Sequence, residues 1–170
     1  MKNFTKILSL GVLLLFACSM QLSAQKCNLN YNKKDPITGE ETKRKLFSIT
    51  GFWEIEFNKI GESYFLKMGL SISGNIREIL QKGESAIFKL SNGEIITIYT
   101  QEESLPVAQI AADQIFTRYN TKYEIDAITL QKMIEFPPTF IRTTAGSKIF
   151  EKNLSGGDTK RISQTAKCIL

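Results

Sequence analysis

Short runs in which apolar and polar residues alternate recur along this chain, separated by glycine, asparagine or proline. A period of two sends successive side chains to opposite faces of a strand, so each run predicts a half-buried β-strand. The clearest case is Ala86–Thr100. Two apolar-rich runs there flank Asn92-Gly93, and the second carries β-branched Ile95, Ile96, Thr97 and Ile98. Asn-Gly accepts the positive φ of a type I′ turn, so Ile87–Leu90 and Glu94–Ile98 are predicted to pair as an antiparallel hairpin in the middle of a larger sheet.

Upstream, Phe47–Asn58 reads as one strand with a bulge or bend at Gly51. Trp53, Ile55 and Phe57 take its core face, and Phe52, Glu54, Glu56 and Asn58 the other. Ser63–Ser73 reads as its antiparallel neighbour across the turn Lys59-Ile60-Gly61-Glu62. Downstream, the alanines of Val107–Tyr119 have helical spacing, which predicts a short helical start before an extended Gln114–Tyr119. Asn120-Thr121-Lys122 reads as a turn, with Tyr123 returning. Asp126 is placed to cap a short helix over Ala127–Glu135, which Pro137-Pro138 ends. Thr139–Thr144 and Lys148–Asn153 read as strands about Ala145-Gly146-Ser147. Asp158 is read as the N-cap of a C-terminal helix over Thr159–Ile169, with Ile162, Ala166 and Ile169 on its inner side. Together these elements predict an α+β fold: an antiparallel β-sheet of about six to eight strands, with one short helix and a C-terminal helix packed on it.

The first 24 residues stand outside this pattern. Lys2 and Lys6 precede the apolar run Ile7–Ala17, which is too short to span a membrane (about 20 apolar residues are needed) and fits the hydrophobic region of a signal peptide. Cleavage after Leu22-Ser23-Ala24 leaves Gln25 first. A second reading takes Leu15-Phe16-Ala17-Cys18 as a lipoprotein box, with Cys18 the site of a lipid anchor. Both export the chain, to the periplasm or outside the cell in one case and to the outer membrane as a lipoprotein in the other. The organisation expected is therefore a signal peptide at 1–24, an irregular N-terminal segment rich in Asn and Lys at 25–46, and a single α+β domain at 47–170, with no transmembrane helix in the mature chain.

Charge changes this picture little. The chain holds 22 basic and 17 acidic residues, a net +5; without Lys2 and Lys6 the balance is +3. The densest basic group, Lys33, Lys34, Lys43, Arg44 and Lys45, is interrupted by Asp35, Glu40 and Glu41. A nucleic-acid partner is not expected from so mixed a surface. After cleavage the cysteines are Cys27 and Cys168, an even pair that predicts a disulfide tying the chain's ends together in an oxidising compartment. The sequence has no histidine, which removes Ser-His-Asp and Cys-His catalysis and the commonest zinc ligand.

Five stretches carry a resemblance: the Ser-Ala-Gln junction, Asp35-Pro36-Ile37-Thr38-Gly39-Glu40, Leu90-Ser91-Asn92-Gly93-Glu94-Ile95, Ile141-Arg142, and the terminal Ala166-Lys167-Cys168-Ile169-Leu170. Together they resemble small exported proteins of Bacteroidota of uncharacterised function. The resemblance implies compartment and fold. It carries over no active site.

Candidate chemistry is sparse. Glu54 and Glu56 share one face of a strand with Cα atoms about 6.7 Å apart, a spacing from which two carboxylates approach the separation glycosidases use; the competing reading is the solvated face of an amphipathic strand. Glu102-Glu103 lacks the surrounding oxygen ligands of an EF-hand loop, and Gly156-Gly157 lacks the Lys-Ser/Thr of a phosphate loop. No cofactor and no metal are expected. Phe52, Trp53, Tyr64 and Phe65 are candidates for a ligand surface, against a simpler role in core packing. These observations favour a non-catalytic binding or accessory module of the periplasm or cell envelope, its partner an envelope protein or glycan. The alternative is a His-free, carboxylate-dependent hydrolase directed at glycans.

Overall fold

Period-two patterning produces strands throughout. The computed structural model describes residues 27–49 and 53–170, so the predicted signal peptide, Cys18, Gly51 and Phe52 lie outside the described residues. In chain order the elements are β1 (Tyr31–Lys34), β2 (Glu41–Ile49), β3 (Trp53–Ile60), β4 (Ser63–Ser73), β5 (Ser85–Leu90), β6 (Ile95–Tyr99), β7 (Val107–Ala111), β8 (Gln114–Ile125), α1 (Ala127–Glu135), β9 (Pro138–Ala145), β10 (Lys148–Asn153) and α2 (Gly156–Ile169). The fold is α+β. A curled six-stranded antiparallel sheet has the order β1-β2-β3-β4-β8-β7, and a four-stranded one the order β10-β9-β5-β6.

The hairpin of β5 and β6 forms as its sequence predicts, with Phe88 opposite Ile96 and Lys89 opposite Ile95. Its sheet is the smaller one, and β6 is an edge strand. The turn is not type I′. Only Gly93 takes positive φ (89°), while Gly93 N donates to Leu90 O and Leu90 N to Glu94 O. This is the three-residue loop in which a glycine in the left-handed region follows a type I turn. Asn92 instead turns its side chain back, accepting from Glu94 N at 3.0 Å.

Four other stretches differ from expectation. Phe47–Asn58 is two strands, with Ile49 opposite Trp53 in antiparallel register. The N-terminal segment read as irregular supplies β1 and most of β2. Its turn signals act only between those strands, where Asp35 Oδ1 accepts from Ile37 N and Thr38 N. Those two N–H groups hold the Asp35 carboxyl below its ordinary range. The predicted helical start at Val107 is β7, joined to β8 by Ala112 and Asp113 at φ 49° and 60°. Two successive positive φ values make a type I′ loop, and cross-strand pairing there outweighs alanine's helix preference. The predicted turn at Asn120-Thr121-Lys122 is continuous β8, since these residues pair in register with Gly69, Met68 and Lys67 of β4.

Apolar faces of both sheets and one side of α2 meet in a single core containing Ile55, Phe57, Leu66, Phe88, Ile141, Ile162 and Ile169, all buried. A smaller cluster around Leu70, Leu80 and Tyr119 includes Trp53, which packs against both. The sheets also touch through polar groups: Tyr123 Oη on β8 lies 3.3 Å from Thr143 Oγ1 on β9. Burial pushes the Tyr123 phenol above its ordinary range.

Asp126 caps α1, its side chain accepting from Thr129 N. Ile128 is 71% exposed, and Leu130 and Met133 carry that helix's packing. α2 starts earlier than predicted. Ser155 is its N-cap and Asp158 its third residue, the two exchanging side-chain-to-backbone bonds as a capping box. In its last turn Cys168 is bonded to Cys27, with Cα atoms 5.5 Å apart. No helix among the described residues is long and apolar enough to cross a membrane.

Candidate functional site

Because β3 buries Ile55 and Phe57, it must send Glu54, Glu56 and Asn58 to the opposite face of the large sheet. The register then builds three cross-strand rows. Glu54 lies between Ser48 of β2 and Gly69 of β4, with Asn120 of β8 beyond. Glu56 lies between Leu46 and Lys67, with Lys122 beyond. Asn58 lies between Arg44 and Phe65, with Glu124 beyond. β7 leaves the edge of β8 open past Arg118, and a loop takes its place. Gln101 N donates to Lys122 O at 2.9 Å, and Ser104 Oγ accepts from Asn120 N at 3.0 Å. That loop carries Glu102 to the rim of a cavity of about 390 Å³ floored by β2, β3, β4 and β8.

Arg44, Lys67, Arg118 and Lys122 line this recess against Glu54, Glu56 and Glu102. Arg118 reaches across β4 to bond the Glu54 carboxylate and also donates from Nε to Asn120 Oδ1 at 3.2 Å. The crossing requires Gly69. A Cβ at that position would stand 2.8 Å from Arg118 Nη2 and 3.1 Å from Glu54 Oε2. Lys67 Nζ lies 3.8 Å from Glu56 Oε1. Arg44 and Lys122 have no carboxylate at ion-pair distance among the described residues. They are held instead by aromatic rings: Arg44 Cζ is 4.1 Å from the Tyr31 centroid, and Lys122 Nζ is 4.3 Å from that of Phe65.

Three buried side-chain atoms beside the recess lack hydrogen bonds among the described residues. Asn58 is 2% exposed, yet neither its Oδ1 nor its Nδ2 has a partner among the described residues. Arg44 Nε, on the residue opposite it, is likewise buried and unpaired. A fully desolvated amide without partners costs about 1–3 kcal/mol, so the fold retains this group at a penalty.

The predicted candidates divide between two faces. Glu54 and Glu56 both line the recess, Glu56 engaged by Lys67 of the adjacent β4 and Glu54 by Arg118 of β8, one strand further on. Trp53 and Tyr64 point the other way and pack against the core. Phe65 stands on the recess side beneath Lys122. The three described aromatics therefore form no common surface, as odd and even positions on strands must diverge. Tyr64 bonds Lys59 and raises its ammonium above the ordinary lysine range. No sequence signal marks Lys67, Gly69, Arg118 or Lys122 as site residues, and Arg44 stands out only within the mixed-charge basic group at 33–45. The Phe65, Lys67, Gly69 row of β4 was visible by period two, whereas the β8 contributions were hidden by the turn expected at Asn120.

Comparison with protein-family models, with curated proteins and with solved structures finds no match to this chain.

Proposed function

We propose that this protein is an exported, non-catalytic binding module of the periplasm or cell envelope, and that the charged recess on its six-stranded sheet receives the ligand. The observation carrying this reading is the state of the two carboxylates. Glu54 and Glu56 are tied to Arg118 and Lys67 on the floor of a preformed cavity. Such an arrangement holds both carboxylates beside cations as a fixed charge pattern suited to recognition. Export is supported by the disulfide between Cys27 and Cys168, since such bonds persist chiefly in oxidising compartments.

The test is retention of solubilised envelope glycan fragments on the immobilised protein, with reducing ends assayed in the same samples. Retention without new reducing ends is expected. Fresh reducing ends that disappear in Glu54→Gln would establish the glycan-directed hydrolase instead, and absence of retention would overturn the recess as a glycan-binding site.

A further inference from the structure

We infer that the recess recognises an acidic saccharide, a sugar unit bearing a carboxylate, with Arg44 and Lys122 as the groups that take its charge. This inference rests on the reading of the recess as a ligand site and names the ligand's chemical class. Four cations against three carboxylates leave the lining one positive charge in surplus. That surplus favours an anionic ligand over a neutral one. Arg44 and Lys122 are the two lining cations with no ion-pair partner among the described residues, and both are already positioned by stacking on Tyr31 and Phe65. A cation immobilised before binding loses little side-chain freedom when the anion arrives.

The rest of the floor suits hydroxyl groups. Glu54 engages Arg118 through Oε2, and Glu56 engages Lys67 through Oε1. Each keeps a second oxygen with no protein donor among the described residues, and a carboxylate oxygen is a strong acceptor for a sugar hydroxyl. Asn120 uses its Oδ1 for Arg118, which leaves its amide N–H groups to donate. Leu46, 40% exposed at the wall, offers an apolar patch for the C–H face of a sugar ring. An acidic peptide fits less well, because triglutamate brings no hydroxyl donors for the free carboxylate oxygens of Glu54 and Glu56. A cavity near 390 Å³ stands at the lower end of small-ligand sites, about 300–1,000 Å³, a size for a short saccharide segment.

Calorimetric titration of the exported chain with trigalacturonate, its methyl ester and triglutamate tests the inference. Trigalacturonate should bind about tenfold or more tighter than the methyl ester, and triglutamate more weakly still. Lys122→Gln and Arg44→Gln should each weaken trigalacturonate about tenfold, while Lys160→Gln on the exposed side of α2 leaves it unchanged. The methyl ester provides the same comparison on unaltered protein, so a poorly folded Arg44 variant does not decide the result. Equal affinity for acid and ester, tighter binding of triglutamate, an indifferent Lys122→Gln, or no binding of trigalacturonate overturns the acidic-saccharide class. The parent reading fails separately: saccharide binding that survives Gly69→Val, which fills the floor, would show that the recess is not the site.

Discussion

Replacing Gly69 by alanine separates what the fold needs at this position from what the site needs. The new methyl would stand 2.8 Å from Arg118 Nη2 and 3.1 Å from Glu54 Oε2. Both atoms end flexible side chains, so the clash is relieved by swinging them apart and the backbone stays in place. Two effects then oppose each other. Alanine in a strand interior gains about 0.5–1 kcal/mol over glycine. The lost ion pair, 26% and 34% exposed at its two side chains, is worth about 0–1 kcal/mol. Gly69→Ala should therefore change unfolding free energy by less than about 1 kcal/mol while disordering the floor of the recess. Urea denaturation of the single variant, and of the same change in a Glu54→Gln background, measures both parts. With no ion pair to break, the background should return the full strand gain. A loss above about 2 kcal/mol, or the same effect in both backgrounds, would refute the claim that Gly69 exists to let Arg118 reach Glu54.

Three other outcomes follow from the same structure. Changing Cys27 and Cys168 together to serine should lower stability by as much as about 5 kcal/mol, because the bond closes a sequence separation of 141 residues; a loss under about 1 kcal/mol in urea unfolding would contradict this. Asn58→Leu should raise the unfolding free energy by about 1–2 kcal/mol by removing two buried unpaired amide atoms, and a destabilised variant would mean that the amide has a structural partner. Asp126→Ala should cost about 1 kcal/mol at neutral pH through loss of the α1 cap. Hydrogen bonds from Thr129 hold the Asp126 carboxyl below its ordinary value, so its charged form contributes above about pH 3.9 and that contribution is lost as pH falls through the lower folded value. The gap between wild type and variant should shrink in that acid range; a gap that widens there would show the sign to be wrong.

Much of the strand pattern was legible because a half-buried strand leaves its period in the sequence. Ser63–Ser73 and Lys148–Asn153 match β4 and β10, since both are bounded by turn residues and the first alternates from Leu66 to Ser73. Failures occurred where tertiary pairing decided the matter. β7 is exposed along its whole length, so no apolar alternation advertised it, and its turn uses Ala112 and Asp113 in place of Asn-Gly. Asn120 looked like a turn residue, yet it lies in a strand that continues from Gln114 to Ile125. The site shows the same division. Glu54 and Glu56 could be placed on one face from local spacing alone. Their cations come from β4 and β8 through a register that no local signal reveals, and the role of Gly69 emerges only once Arg118 lies across it.

Backbone amide shifts of the isotope-labelled protein, followed as envelope glycan fragments are added, test most directly whether the recess is a ligand site. The largest changes should cluster at Glu56, Lys67, Gly69, Asn120 and Lys122, with the β5, β6, β9 and β10 amides unmoved. Changes centred on the four-stranded sheet or on the exposed Ile110–Ile115 hairpin end, or a spectrum that does not move at all, would contradict it.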